Sequence, residues 1–281
     1  MTTDLRPSPI AGTWYPGEAT LLRQEIDRYL AQAKVSCPEG ELRAIIVPHA
    51  GYRYSGPVAA YAFKCLQGLR PELVVVVSPM HHPYRAPLLT SGHDAYLTPL
   101  GEVAIDHRAV ETLNRQLQTR LGYRLTPVLN DPEHALEIEL PFLQRVVGDF
   151  SLLPVMIRDQ TAFVARELGH ALADTVRARD ALLVASSDLS HFYPQHIAEK
   201  LDREMLRRVE AFDPAGVMRA EEEGVGFACG RSAIAAVMWA ARELGANRAR
   251  VLHYATSGNV TGDYASVVGY GAAAIVRERG R

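Results

Sequence analysis

The chain has 281 residues, 48% of them hydrophobic, and a formal net charge of −2. That is enough apolar material for a real core and excludes a disordered or fibrous chain, and the near-neutral mix of charge lacks the footprint of a nucleic-acid binder. No apolar run approaches the length that spans a bilayer, and residues 1–9 lack the basic-then-apolar pattern of a secretion signal. The three cysteines, Cys37, Cys65 and Cys229, are odd in number and far apart. Their spacing predicts a reducing, cytoplasmic setting in place of a disulfide framework.

Residues 10–16, Ile-Ala-Gly-Thr-Trp-Tyr-Pro, form an aromatic lead-in. A helix is predicted over 17–33, with Leu21, Leu22, Ile26, Tyr29 and Leu30 on one apolar face. Residues 42–47 read as a buried strand that stops at Pro48, because proline has no N–H to give the ladder. His49 follows on a small-residue turn, and a helix is predicted over 55–69, opened by Gly56-Pro57, with Cys65 packing near its core face. Ligands of open α/β sheets bind beyond the carboxyl ends of the strands. His49 stands there, its alternative being a histidine that only closes a βα turn. Residues 73–78 are too apolar to have a solvent face and predict a central parallel strand. This strand also runs into proline and histidine, at Pro79-Met80-His81-His82.

Residues 86–105 read as short extended pieces, with His93 and His107 at the surface. A helix is predicted over 109–121 and a strand over 125–129. Asn130-Asp131-Pro132-Glu133 then reads as a helix start capped by Asp131. That helix, 134–147, carries Glu137, Glu139 and a bending Pro141. His134 and Glu137 are close on its surface, with a solvated charge cluster as the alternative to a functional role. A strand at 151–157, a helix at 161–179 with an exposed His170 and a strand at 181–187 follow. The last runs into Asp188 and His191, a spacing that suits a carboxylate supporting an acid–base histidine. His196 begins the next helix as a solvated residue, and 215–223 form a short acidic helix. Cys229 precedes Arg231 and an alanine-rich helix at 233–244, a setting that lowers a thiol pKa; the alternative is an inert buried cysteine. Strands are predicted over 249–256 and 264–276.

The alternation of apolar runs and amphipathic segments predicts an α/β fold: a single domain over 1–281 with a central, mostly parallel mixed sheet flanked by helices. The strands at 42–48, 73–78, 151–157, 181–187 and 264–275 belong to that sheet. No Gly-rich phosphate loop supports a nucleotide-binding reading. His49, His81, Asp188, His191 and Cys229 all lie in turns after strands or before a helix, which points to a metal site assembled from segment ends. Two imidazoles with a carboxylate are the pattern of non-haem iron enzymes; a thiolate as third ligand admits zinc and copper.

The sequence resembles the Memo family, including the bacterial and archaeal relatives known as AmmeMemoRadiSam system protein B. The matching pieces are Ala11-Gly12-Thr13-Trp14-Tyr15, Pro48-His49-Ala50-Gly51-Tyr52 with Tyr54 and Gly56, and Ser78 to His82. They continue through Glu133-His134 with Glu137 and Leu140-Pro141, Ser186-Ser187-Asp188 with His191, and Cys229-Gly230-Arg231. The family is similar in fold to class III extradiol dioxygenases, in which two histidines and a glutamate hold Fe(II). The resemblance implies metal ligands at His49, His81 and Cys229, an acid–base His191 supported by Asp188, and His134 lining the same pocket. It implies Fe(II), with copper or zinc as rivals, and a dioxygenase-like oxidoreductase acting on a small molecule. Animal members described as binders of phosphorylated peptides imply the alternative, a non-enzymatic metal- or peptide-binding regulator. Association with AMMECR1-like and radical SAM proteins is implied in the same way. The sequence departs from the dioxygenases in placing cysteine where they have glutamate. It also has Ser78-Pro79-Met80-His81 where Gly-Pro-Ser-His is expected.

Overall fold

The computed structural model describes residues 3–278. The chain enters through β1 (Leu5–Arg6) and α1 (Ala19–Gln32), whose first N–H groups are accepted by the Glu18 carboxylate. Next come β2 (Glu41–Val47), α2 (Tyr52–Lys64) and β3 (Leu73–Pro79). An excursion of three short strands follows: β4 (Leu88–Ser91), β5 (Ala95–Thr98) and β6 (Gly101–Ala104). The middle of the chain holds α3 (His107–Leu121), β7 (Thr126–Val128), a 3-10 turn (Glu137–Glu139), α4 (Leu140–Val147), β8 (Ser151–Ile157) and α5 (Ala162–Val176). It continues with β9 (Ala181–Ser186), β10 (His191–Tyr193), α6 (Gln195–Glu210), α7 (Pro214–Glu222) and α8 (Arg231–Glu243). β11 (Arg248–Thr256), α9 (Gly258–Thr261) and β12 (Val267–Arg277) end the described chain.

Nine strands form one mixed sheet in the order β10-β12-β2-β9-β3-β8-β4-β7, with β11 paired to the other side of β12. All five strands expected at its centre lie side by side there. The four from β2 to β8 run parallel, and antiparallel neighbours flank them. Side chains alternate between two cores: Ala44, Ile46, Val75 and Val77 face one, while Ile45, Val47, Val74 and Val76 face the other. The first core is closed by α3, α5, α6, α7 and α8, the second by α1, α2 and α4. Both faces are covered, which is why these strands read as unbroken apolar runs. α1 and α2 approach at Gly56, where a Cβ would stand 2.7 Å from the Tyr29 ring.

Several local expectations give way to tertiary contacts. α2 starts at Tyr52, three residues early, because the Tyr52 N–H is taken by the Trp14 carbonyl and the Gly51 carbonyl accepts the N–H groups of Tyr54 and Ser55; Pro57 sits within it. No helix forms over 134–136, and Pro141 lies in the first turn of α4, so it bends nothing. Asp131 does not cap a helix, because Arg6 claims its carboxylate. The Arg6 guanidinium is fully buried and donates to both Asp131 oxygens at 2.9 and 3.0 Å, to Glu137 at 2.5 Å, and to the carbonyls of Asp131 and Glu133. Glu137 is therefore interior, not part of a solvated cluster, and it also accepts from Tyr15. His93 is interior as well, held between the Asp4 carboxylate and the Asn130 N–H.

Cys37 and Cys65 form a disulfide across a sequence separation of 28, leaving Cys229 as the free thiol. The expectation of three reduced cysteines is overturned, since the turn before β2 folds back onto the C-terminal end of α2; cysteine usage does not argue for a reducing compartment. Protein denatured without reductant is expected to titrate one thiol, and three after reduction; three before reduction would show that the pair does not form. Arg6→Ala is expected to lower the unfolding free energy by about 3–5 kcal/mol in urea titrations, because breaking a buried ion pair strands charge in the interior. A loss below about 1 kcal/mol would show that the 131–137 segment holds without it.

Candidate metal centre

β9 lies between β2 and β3, and all three run parallel, so the turns at their carboxyl ends meet at one edge. β2 leads into His49, β3 into His81, and β9 into Ser186, Ser187 and Asp188. Cys229 arrives from the opposite face, just before α8. Its approach depends on Gly230, where a Cβ would lie 2.5 Å from the Ser186 carbonyl oxygen. His49 Nε2 and Cys229 Sγ are 3.1 Å apart, and one ligand atom from each of His49, His81 and Cys229 lies within 4.8 Å of the others.

Each histidine is oriented from behind. His49 is 1% exposed; its Nδ1 meets Ser186 Oγ at 2.9 Å and its N–H donates to Asp188 Oδ1 at 2.8 Å. His81 meets Glu133 Oε1 through Nδ1 at 2.9 Å and donates its backbone N–H to Oε2. Glu133 also accepts the N–H groups of His134 and Ala135. Burial pushes this carboxyl up, but the His81 contact and those N–H groups more than offset it and hold it down to about 2. It is a carboxylate, so the ring hydrogen of His81 belongs on Nδ1 and Nε2 is left bare for a ligand.

His134 stacks on His81 with ring centroids 4.9 Å apart and is covered by Trp14 at 4.2 Å. Burial brings it down to about 4 against the pull of the Glu133 carboxylate, with His81 and His82 adding to the lowering, so it is neutral. Burial likewise carries His49 well below the ordinary histidine value. His81, Glu133 and His134 form a second convergent group that shares His81 with the first. His191 Nδ1 donates to the Leu189 carbonyl at 2.8 Å, leaving Nε2 free, and the next residue, Phe192, has φ 64° in the left-handed region. β10 reaches this edge by pairing with β12 beyond the carboxyl end of β2.

The donor set fits a transition metal. Two ligands at about 2.1 Å (nitrogen) and 2.3 Å (sulfur) from one ion lie roughly 3.1–3.6 Å apart for angles between square and tetrahedral, which covers the His49–Cys229 separation. A family model for Memo-like proteins matches residues 6–274. A MEMO1 family protein of Methanopyrus kandleri is 37% identical over 98% of this chain and 99% of its own length. Those of Methanothermobacter thermautotrophicus and Thermotoga neapolitana are 36% and 34% identical, each over 95% of this chain and 98% of their own. The chain belongs to the Memo family. The Memo fold is class III extradiol dioxygenase-like, in agreement with the mixed sheet and its flanking helices.

Within this Memo site two expected pairings do not form. Asp188 does not orient His191; it receives the His49 N–H, and burial pushes it up to about 7. Arg231 does not activate Cys229, because it pairs with Glu221. Burial and the nearby Asp188 push the thiol up, so the expected lowering fails in the metal-free chain. Sequence reasoning gave no role to Ser186 and Glu133, which contact His49 and His81, or to Glu139, which contacts Ser186; none carries a reactive signature of its own. Among the described residues no helix is long and apolar enough to cross a membrane. Glu133→Gln is expected to weaken Zn(II) binding about 10–100-fold in a chelator competition, because it removes the charge that fixes His81. Affinity within about twofold of the parent would show that His81 is oriented by other means.

Proposed function

We propose that this Memo family protein is a metal-dependent oxidoreductase of the non-haem iron, dioxygenase-like kind, with His49, His81 and Cys229 as the ligands. The observation that carries the reading is the 3.1 Å approach of His49 Nε2 to Cys229 Sγ, with both histidines backed by dedicated partners. Fe(II) is the first candidate, and copper and zinc are the rivals that a thiolate admits. A bound metal would supply a Lewis-acidic centre with positions left open to a small molecule.

The remaining residues divide the other work. His191 presents a bare Nε2, and burial lowers its pKa, so it is suited to take a proton from a hydroxyl at the mouth. His134, stacked on His81 and covered by Trp14, lines the site on that side. A second reading, a metal- or peptide-binding regulator without turnover, draws on Phe192 and Tyr193, which stand exposed beside His191.

The first experiment is metal analysis of protein purified without oxygen, followed by oxygen uptake of the iron-loaded form across phenols and catechols. Cys229→Ala and His49→Ala are expected to lose metal. His191→Ala is expected to keep metal and lose turnover by about 10²–10⁴-fold. Cys229→Glu is expected to retain Fe(II) while weakening copper and zinc, since carboxylate is the harder donor. Loss of metal in His191→Ala as readily as in Cys229→Ala would make His191 a ligand. No uptake by the metal-loaded parent with any substrate would favour the regulator.

A further inference from the structure

Ser186 makes three close contacts whose hydrogen count determines the protonation of its neighbours. Its Oγ lies 2.9 Å from His49 Nδ1, 2.8 Å from Glu139 Oε1 and 2.6 Å from the Ala135 carbonyl oxygen. A serine hydroxyl has one proton to give and two lone pairs with which to accept. The Ala135 carbonyl can only accept, so the hydroxyl proton goes there. Both other partners must then donate: His49 through its Nδ1–H, and Glu139 through a carboxyl O–H. In the opposite assignment, with Ser186 donating to an ionised Glu139, the Ser186 and Ala135 oxygens would stand 2.6 Å apart with no proton between them.

The surroundings of Glu139 agree. Its side chain is buried at the turn before α4, 1% exposed, and among the described residues it makes no ion pair. The charged group that acts on it is Asp188, which repels a carboxylate, and burial itself raises the carboxyl well above its usual value. An ionised acid in such a place would be costly; a neutral one costs little once it donates a hydrogen bond.

We propose that Ser186 is a positioning residue: with its own proton on the Ala135 carbonyl it accepts from Glu139, a neutral carboxylic acid, and holds His49 as the Nδ1–H tautomer with Nε2 open toward Cys229 and His81. This deepens the proposed function and, where metal is concerned, rests on the reading of His49 as a ligand. A ligating imidazole needs its metal-facing nitrogen bare, and the partner of the other nitrogen decides which one that is. The Ala135 carbonyl fixes the rotor of the serine that receives the His49 hydrogen, and the Glu139 O–H fills its remaining lone pair.

Two readouts use the metal-free protein at neutral pH. The infrared difference between the parent and Glu139→Gln is expected to contain the C=O stretch of a protonated carboxyl, which is absent from the variant. Nitrogen NMR of the His49 ring is expected to show a protonated Nδ1 and a bare Nε2 in the parent. The same pattern is expected in Glu139→Gln, whose amide also donates to Ser186. Ser186→Ala, which removes the hydroxyl that accepts the His49 hydrogen, is expected to give a mixture of tautomers. Zn(II) affinity supplies the third readout: within about twofold of the parent for Glu139→Gln, and weaker by about 10-fold or more for Ser186→Ala. A difference spectrum without the acid band overturns the proposal, as does a Ser186→Ala variant unchanged in both ring nitrogens and affinity. A parent that binds no zinc would sink the metal reading alone, and the two metal-free readouts would still decide the roles of Ser186 and Glu139.

Discussion

The buried Arg6 guanidinium is the constraint on which the site depends. It comes from a two-residue strand near the start of the chain, yet it satisfies both Asp131 oxygens, Glu137 and two backbone carbonyls. Those contacts hold the 131–137 segment in a non-helical path against the sheet. Glu133 and His134 lie in that segment, so the partner of His81 and the ring stacked on it are placed by an arginine outside the site. An ion cluster this dry contributes less to net stability than its contacts suggest, because the desolvation cost is large. What it supplies is a single permitted arrangement of a segment whose local sequence favours a helix.

A second layer of control comes from β9. The sheet order seats this strand between the two that deliver His49 and His81, so Ser186 and Asp188 reach His49 from behind. Ser186 connects onward to Ala135 and Glu139, joining the Arg6-held segment to His49. His81 and His49 are thus oriented by two different partners, a carboxylate for one and a hydroxyl for the other, that trace back to the same piece of chain.

The central strands were legible because both sheet faces are covered, which leaves apolar runs with no polar alternation to confuse them. The histidines were legible because each follows such a run at a proline-marked end. Helix starts were less so: α2 begins ahead of Pro57 because a distant Trp14 carbonyl takes the Tyr52 N–H, and the expected helix at 134 does not form because Asp131 and Glu133 are committed elsewhere. The same limit explains Cys37 and Cys65, whose pairing depends on how the turn before β2 folds over α2. It also explains His93, read as a surface residue and found between Asp4 and Asn130.

By itself, the sequence determined the α/β class, the strands of the central sheet and the segment ends that bring His49, His81 and Cys229 together, since periodicity and turn chemistry act over a few residues. Only the tertiary structure decided the partners of those side chains. Asp188 sits three residues from His191 and serves His49; Arg231 sits two residues from Cys229 and serves Glu221. The protonation of Cys229, Asp188 and Glu139 was likewise beyond the sequence. Desolvation and charge depend on which groups share a buried volume, and that is fixed by strand order and helix packing across separations of 41 to 139 residues.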